Sequence, residues 1–152
     1  MSSSKNPNHQ EGSVNGPRIG ALLRQAWQRV RERIYRGVLQ DGYADLNPAH
    51  VSLFRYEGLD GRRPTQLAES MQITKQSVND LLRYLEHRGY LKSRPDLRDK
   101  RARLVHLTSR GKRLDAAVRA HAAAAERELA AELGQESFRE FYSILSRISG
   151  SH

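Results

Sequence analysis

Apolar residues recur along this chain with two different periods, and the change of period divides it. From Ile19 the residues Leu22, Leu23, Ala26, Trp27, Val30, Ile34, Val38 and Leu39 return at spacings of three and four. That spacing lays one apolar stripe along a helix, and a stripe so long needs a partner. Pro17 suits the first turn, because its fixed φ is already helical. Asn47-Pro48 predicts a second helix over Ala49–Glu57, with Val51, Leu53, Phe54 and Tyr56 as its apolar positions and Gly58 and Gly61 ending it. PTQLAESMQ predicts a short third helix capped by Thr65, with Leu67, Ala68 and Met71 inward. Thr74 caps a fourth, within ITKQSVNDLLRYLEHRGYL, whose buried face is Val78, Leu81, Leu82 and Leu85.

After Gly89, a residue suited to a left-handed helix end, the period shortens. Tyr90–Arg94 and Arg103–Leu107 read as the arms of a β-hairpin with Leu91, Val105 and Leu107 inward, around a loop, PDLRDKRA, too polar to bury. A short third strand is expected near Arg62–Pro64. Thr108-Ser109-Arg110-Gly111 then opens a long, alanine-rich helix that Gly134 ends. Its stripe is Leu114, Ala117, Val118, His121, Ala122, Ala125, Leu129 and Leu133, and the alanines let another helix come close. A final amphipathic helix runs from Glu136 to Ile148 through Phe138, Phe141, Tyr142 and Leu145. The predicted fold is mainly α with a small β wing (α+β): a winged helix-turn-helix over 47–108 between an N-terminal dimerisation helix over 17–46 and C-terminal dimerisation helices over 109–149. The terminal helices carry more apolar stripe than the winged part can cover, which predicts burial against a second copy in a homodimer. Residues 1–16 are polar and nearly free of apolar groups, and are expected to form a disordered tail.

Charge narrows the function. The 26 Lys+Arg against 17 Asp+Glu leave a formal +9, which favours a polyanionic partner. Eleven Lys/Arg and three Asp/Glu lie between Arg83 and Arg113, so a net +8 of the +9 sits in or beside the hairpin. A charge run is usually a solvated face, but this one adjoins a helix-turn-helix pattern and so points to phosphate contact. In the fourth helix the buried face leaves Lys75, Gln76, Asn79 and Arg83 exposed together, with Thr74 and Ser77 at its start. Gln and Asn can pair bidentately with adenine, and Lys and Arg with guanine or phosphate, so this helix is the expected reader of double-stranded DNA.

Other chemistry finds little support. The chain has no cysteine, which excludes a disulfide framework, a thiolate zinc site and a thiol redox sensor within it. The histidines, at 9, 50, 87, 106, 121 and 152, show no ligand spacing, and no metal site or cofactor is expected. No glycine-rich phosphate loop, GxSxG elbow or nucleophile–base pair occurs, so no enzyme is expected. No apolar run approaches the roughly 20 residues needed to span a bilayer, nor is there the apolar core of a secretory signal. A soluble cytoplasmic protein without membrane contact is expected.

From Ile73 through Leu107 the chain resembles the MarR family of bacterial transcriptional regulators. Arg88-Gly89, Asp99-Lys100-Arg101 and Leu107-Thr108-Ser109-Arg110-Gly111 fall at the family's spacing. The resemblance implies that the loop is a wing, in which the Asp99 carboxylate holds the Arg101 guanidinium toward the DNA minor groove, with Arg98 and Lys100 as flanking phosphate contacts. It also implies a repressor that binds an inverted-repeat operator as a homodimer and is released by a small aromatic or anionic compound. Trp27, His50 and Phe54 are the candidate lining for that compound, although each also suits a core position. Two positions depart from the family: Asp80 stands where a basic or neutral residue is frequent, and Arg83 where an acidic one is common. Asp80 would repel phosphate unless it pairs with Arg83 or accepts from a cytosine amino group. The competing function is an architectural or protein-binding winged-helix module without sequence-specific regulation.

Overall fold

Side-chain caps decide where several helices start. In the computed structural model, which describes residues 16–55 and 58–151, the Asn47 side chain accepts from the backbone N–H groups of Ala49 (2.9 Å) and His50 (3.1 Å). His50 Nδ1 accepts from the Asn47 N–H in return (3.1 Å), so both unpaired ends of the turn are satisfied. Thr74 Oγ1 accepts from the Ser77 N–H (3.1 Å) and Thr108 Oγ1 from the Gly111 N–H (3.0 Å). The helices are α1 (Ile19–Gln40), α2 (Pro48–Leu53), α3 (Pro64–Met71), α4 (Lys75–His87), α5 (Ser109–Leu133) and α6 (Gln135–Ser149), with β1 (Leu91–Pro95) and β2 (Arg103–Leu107) between α4 and α5. The architecture is mainly α with a small antiparallel wing. Most of the polar tail and Tyr56 lie outside the described residues.

Three expectations are corrected. The second helix spans Pro48–Leu53 rather than Ala49–Glu57. Its hydrogen bonds tighten to three-residue spacing, from the Phe54 N–H to Val51 O and from the Arg55 N–H to Ser52 O (both 3.2 Å), which turns the chain and buries Val51, Leu53 and Phe54 together. The third helix starts at Pro64, not after a Thr65 cap; Arg63 is its N-cap, and the Gln66 side chain accepts from the Arg63 N–H (3.0 Å). The first hairpin arm begins at Leu91, because the Tyr90 N–H still closes the preceding helix on Leu85 O (2.9 Å).

The two strands pair in the register Leu91↔Leu107 to Pro95↔Arg103. Arg62 adds the expected third edge as a single bridge to Val105, with the Val105 N–H donating to Arg62 O (2.8 Å) and the Gly61 N–H to Val105 O (2.7 Å). Between α3 and α4 the turn is closed by Gln72 in the left-handed region (φ 54°), an uncommon conformation for a residue with a side chain.

The core unites both halves of the chain. Ile34 and Val38 of α1 meet Leu114, Val118 and Ala125 of α5, and this layer continues into Leu53, Phe54, Leu67, Val78, Leu85 and Val105. The two long helices run antiparallel, as Arg33 reaches Glu128 and Glu132 while Asp41 meets His121 (2.7 Å). They touch at Gly37, where a Cβ would fall on the His121 ring. The N-terminal half of the α1 stripe has no such cover: Ile19, Leu22 and Trp27 are exposed, as are Tyr142, Ile144 and Ile148 of α6, which buries no residue fully.

The loop after α1 joins the long helices to the winged part. Asp45 Oδ1 accepts from the hydroxyl of fully buried Tyr90 (2.9 Å), and the Asp45 carbonyl accepts from the Tyr84 hydroxyl on α4. Arg110 at the start of α5 lies over the Tyr90 ring (4.2 Å), donates to Tyr90 Oη (3.0 Å) and to Arg88 O (2.8 Å), and approaches Asp45 (3.5 Å). Burial, followed by the Asp45 carboxylate, pushes the Tyr90 hydroxyl up to about 12, so it remains a donor. At the same junction a Cβ on Gly111 would collide with the Tyr90 carbonyl oxygen, a backbone atom with little room to move. Gly111→Ala should therefore destabilise the protein by about 1–3 kcal/mol through overpacking. Urea unfolding measures this, and an unchanged midpoint would show that β1 and α5 can separate freely.

Candidate nucleic-acid interface

The face of α4 opposite its buried stripe is fully presented. Val78, Leu82 and Leu85 are buried, Leu81 is half-buried, and Lys75, Gln76, Asn79 and Arg83 are exposed. Among the described residues the side chains of Lys75, Gln76 and Asn79 make no hydrogen bond or ion pair, so their donors and acceptors are available to a ligand. Thr74 and Ser77 are engaged: Thr74 Oγ1 donates to Ser77 Oγ (2.8 Å) while capping the helix. Arg83 reaches Asp80 (3.4 Å) across one turn, which answers the departure at position 80 with a neutralising partner; both side chains are well exposed, so the pair adds little stability.

The wing is organised differently from the implied Asp99–Arg101 side-chain pair. Asp99 Oδ1 accepts from the Arg101 backbone N–H (3.1 Å), and the Arg101 guanidinium has no ion pair among the described residues. The carboxylate is spent on the turn itself, which leaves the guanidinium projecting into solvent. Asp96 repeats the device two residues from Arg98, accepting from the Arg98 N–H (2.9 Å). The loop closes through Asp96 N–H to Ala102 O (3.0 Å) and Ala102 N–H to Asp99 O (2.9 Å). The side chains of Arg98, Lys100 and Arg101 are all exposed on this fixed loop.

Asp96 and Arg63 are the residues that sequence reasoning passed over. Asp96 is buried, and its Oδ2 accepts from both Nε (3.1 Å) and Nη2 (2.7 Å) of Arg63, the N-cap of α3. Arg63 thus ties the wing to the helix-turn-helix. The Arg98 N–H and then Arg63 hold the Asp96 carboxyl below the usual carboxylate range. The Asp-x-Arg spacing of a turn was visible in PDLR, but its partner lies 33 residues away.

Residues 44–102 match the model of the MarR family. Over that stretch the winged helix is similar to the MarR family. Solved structures extend the likeness over most of the chain. The transcriptional repressor CouR bound to a 23-mer DNA duplex is 26% identical, covering 87% of this chain and 92% of that one, with a TM-score of 0.72. A probable transcriptional regulator from Pseudomonas aeruginosa is 26% identical, with 86% and 96% covered and a TM-score of 0.70. A MepR–DNA complex from S. aureus is 21% identical, with 90% and 98% covered and a TM-score of 0.71, and shows the shared fold. No curated protein matches the chain by sequence. The family matched over residues 44–102 is one of non-enzymatic transcriptional regulators.

The chain also has a cleft of about 520 Å³ between α1 and α5, lined by Trp27, Val30, Phe54, Arg55, Val118, Arg119 and Glu126 among others. Trp27 is half exposed there, beneath the Arg55 guanidinium (4.1 Å), whereas Phe54 is buried in its floor. His50 is not brought to this cleft. It is buried in α2, stacked on Tyr84 at 4.2 Å, and its Nδ1 accepts a backbone bond that requires an unprotonated nitrogen. Burial lowers its pKa, with Asp45 opposing, in keeping with a neutral ring. Among the described residues no cluster of His, Asp and Glu could hold a metal ion, and no helix is long and apolar enough to cross a membrane.

The depressed Asp96 pKa sets a test of the wing anchor. A carboxyl held below its unfolded value of about 3.9 contributes stability above that pH and loses it as acid protonates the folded group. Wild type should melt above Asp96→Asn at pH 6, and the gap should narrow progressively below about pH 4. Melting temperatures measured from pH 6 to pH 3 would show it; a gap independent of pH would mean that the negative charge is not what holds Arg63.

Proposed function

We propose that this chain is a homodimeric, sequence-specific DNA-binding regulator that represses transcription from an inverted-repeat operator. The observation that carries the reading is the unpaired, exposed face of α4, whose Lys75, Gln76 and Asn79 are the residue types that read base edges in a major groove. The exposed cations of the wing supply the second contact, to the adjacent minor groove and phosphates. Likeness to DNA-bound CouR supports the same assignment. α1, α5 and α6 form the dimerisation region, because Ile19, Leu22, Leu133, Tyr142 and Ile148 leave apolar surface that a second copy would remove from water. Two-fold symmetry then sets two α4 helices about 34 Å apart, one turn of the duplex.

Selection from random duplex DNA, with sedimentation of the free protein, tests this reading. The expected outcome is a dimer and an enriched inverted repeat. Gln76→Ala or Asn79→Ala should each cost about 1–3 kcal/mol on that site and relax its sequence preference. Lys100→Ala should weaken all duplexes alike and lower the salt slope by about one. A monomer at micromolar concentration, or equal binding to every duplex, would favour the architectural alternative.

The α1–α5 cleft is the proposed effector site, suited to a small aromatic acid: Trp27 and Phe54 offer ring surface, and Arg119 offers charge at its edge. Such a ligand releases DNA only if it binds more tightly to a dimer whose two α4 helices are wrongly spaced. At a hundredfold excess over its dissociation constant it should stabilise the protein by about 2.7 kcal/mol. Thermal-shift titration with salicylate-like and phenolic acids should show this in wild type and not in Trp27→Ala, alongside weakened operator binding. An undiminished response in Trp27→Ala would remove the cleft from consideration.

A further inference from the structure

Leu97 is the most exposed large apolar residue of the described chain, at 97%. The other large apolar side chains left in water among the described residues, Ile19, Leu22, Trp27, Leu133, Tyr142, Ile144 and Ile148, lie on the terminal helices, where a second copy can cover them. Leu97 stands at the opposite kind of place, the tip of the wing, followed by Arg98, Lys100 and Arg101. A single exposed leucine ordinarily calls for no explanation. Here its backbone is fixed from both sides: Asp96 is buried against Arg63 and accepts from the Arg98 N–H, so Leu97 occupies the corner of a closed turn. Its side chain stands in water at the rim of a groove that Arg94, Leu104 and His106 also line.

We infer that Leu97 is an apolar minor-groove contact that makes the wing discriminate against guanine. The inference rests on the DNA-binding reading above. The exposed Arg98, Lys100 and Arg101 on the same loop direct this residue to a polyanion, and the part of a duplex that offers apolar surface beside phosphates is the groove wall formed by the sugars. In the minor groove an A·T pair presents only acceptors, whereas G·C adds the guanine N2 amino donor. A leucine pressed against that edge displaces the water bonded to the amino group and offers no acceptor in return, so the donor is left unsatisfied. Against A·T the same side chain meets no donor, and apolar side chains are recurrent contacts of minor-groove proteins.

The test uses the duplex enriched from random DNA, with A·T pairs flanking each α4 half-site replaced in turn by G·C or by inosine·C. Inosine lacks the N2 amino group but keeps the major-groove edge of guanine. For wild type, G·C at the wing position should weaken binding about tenfold, and inosine·C should restore it. Leu97→Ala should bind the A·T duplex, melt as wild type does because the residue is in water, and show a G·C penalty reduced to about twofold or less. Arg101→Ala should weaken all three duplexes while keeping a G·C penalty above that of Leu97→Ala. An undiminished G·C penalty in Leu97→Ala, or equal weakening by G·C and inosine·C in wild type, overturns the role of Leu97 while leaving DNA binding intact. Failure to enrich any duplex overturns both.

Discussion

The winged part and the long helices, which share one core, are tied by directional bonds at one carboxylate and the loop that carries it. Asp45 takes the Tyr90 hydroxyl on its side chain and the Tyr84 hydroxyl on its carbonyl, and Arg110 closes the group from α5. Tyr90 is fully buried, so its hydroxyl must find an acceptor or leave an unsatisfied donor in the core. That requirement fixes β1 against the α1–α2 loop. Tyr84, which also carries the stacked His50, fixes α4 by the same means. A displacement of the long helices therefore cannot be absorbed by a soft linker; it is passed to α4 through directional bonds.

The helices were readable from the sequence because their signals are local: a capping side chain, a stripe at spacings of three and four, a glycine at the end. Thr74, Thr108 and Gly134 act where the pattern put them. Errors arose where a longer-range demand took precedence. α2 stops at Leu53, where the Phe54 and Arg55 N–H groups close three-residue turns and Phe54 enters the core. His50 looked like a cleft residue by its neighbours in sequence, but pairing with Asn47 and stacking on Tyr84 turn it away. The wing was recognisable as a charged loop, yet its internal order was not. Asp99 serves a backbone N–H rather than a guanidinium, and Asp96, which resembled one more surface charge, is buried by an arginine 33 residues earlier.

The wing and the terminal helices manage exposed groups in opposite ways. On α1 and α6 the exposed residues are apolar and lie along helical faces, an arrangement whose free energy falls when a similar face covers it. On the wing the exposed groups are cations on a backbone pinned by its own aspartates. Like charges brought that close repel one another, and the loop tolerates them because water screens them and because the Asp96 and Asp99 carboxylates lie within it. A polyanion brought to the loop adds an attraction to each cation that offsets their mutual repulsion. The loop is already ordered when this happens, so little conformational freedom is lost on contact.

The α1–α5 cleft proposed above as the effector site is bounded by two kinds of helix contact. Two antiparallel helices meet closely at Gly37, near the C-terminal end of α1, and are braced farther along by Arg33 with Glu128 and Glu132, exposed acids whose bonds to arginine water can replace. Between the close contact and the uncovered N-terminal turns of α1 lies the cleft with Trp27 at its rim. The Asp45 loop follows directly after the Gly37 contact, so α1 joins the proposed effector site at Trp27 to the junction with α4 along one helix.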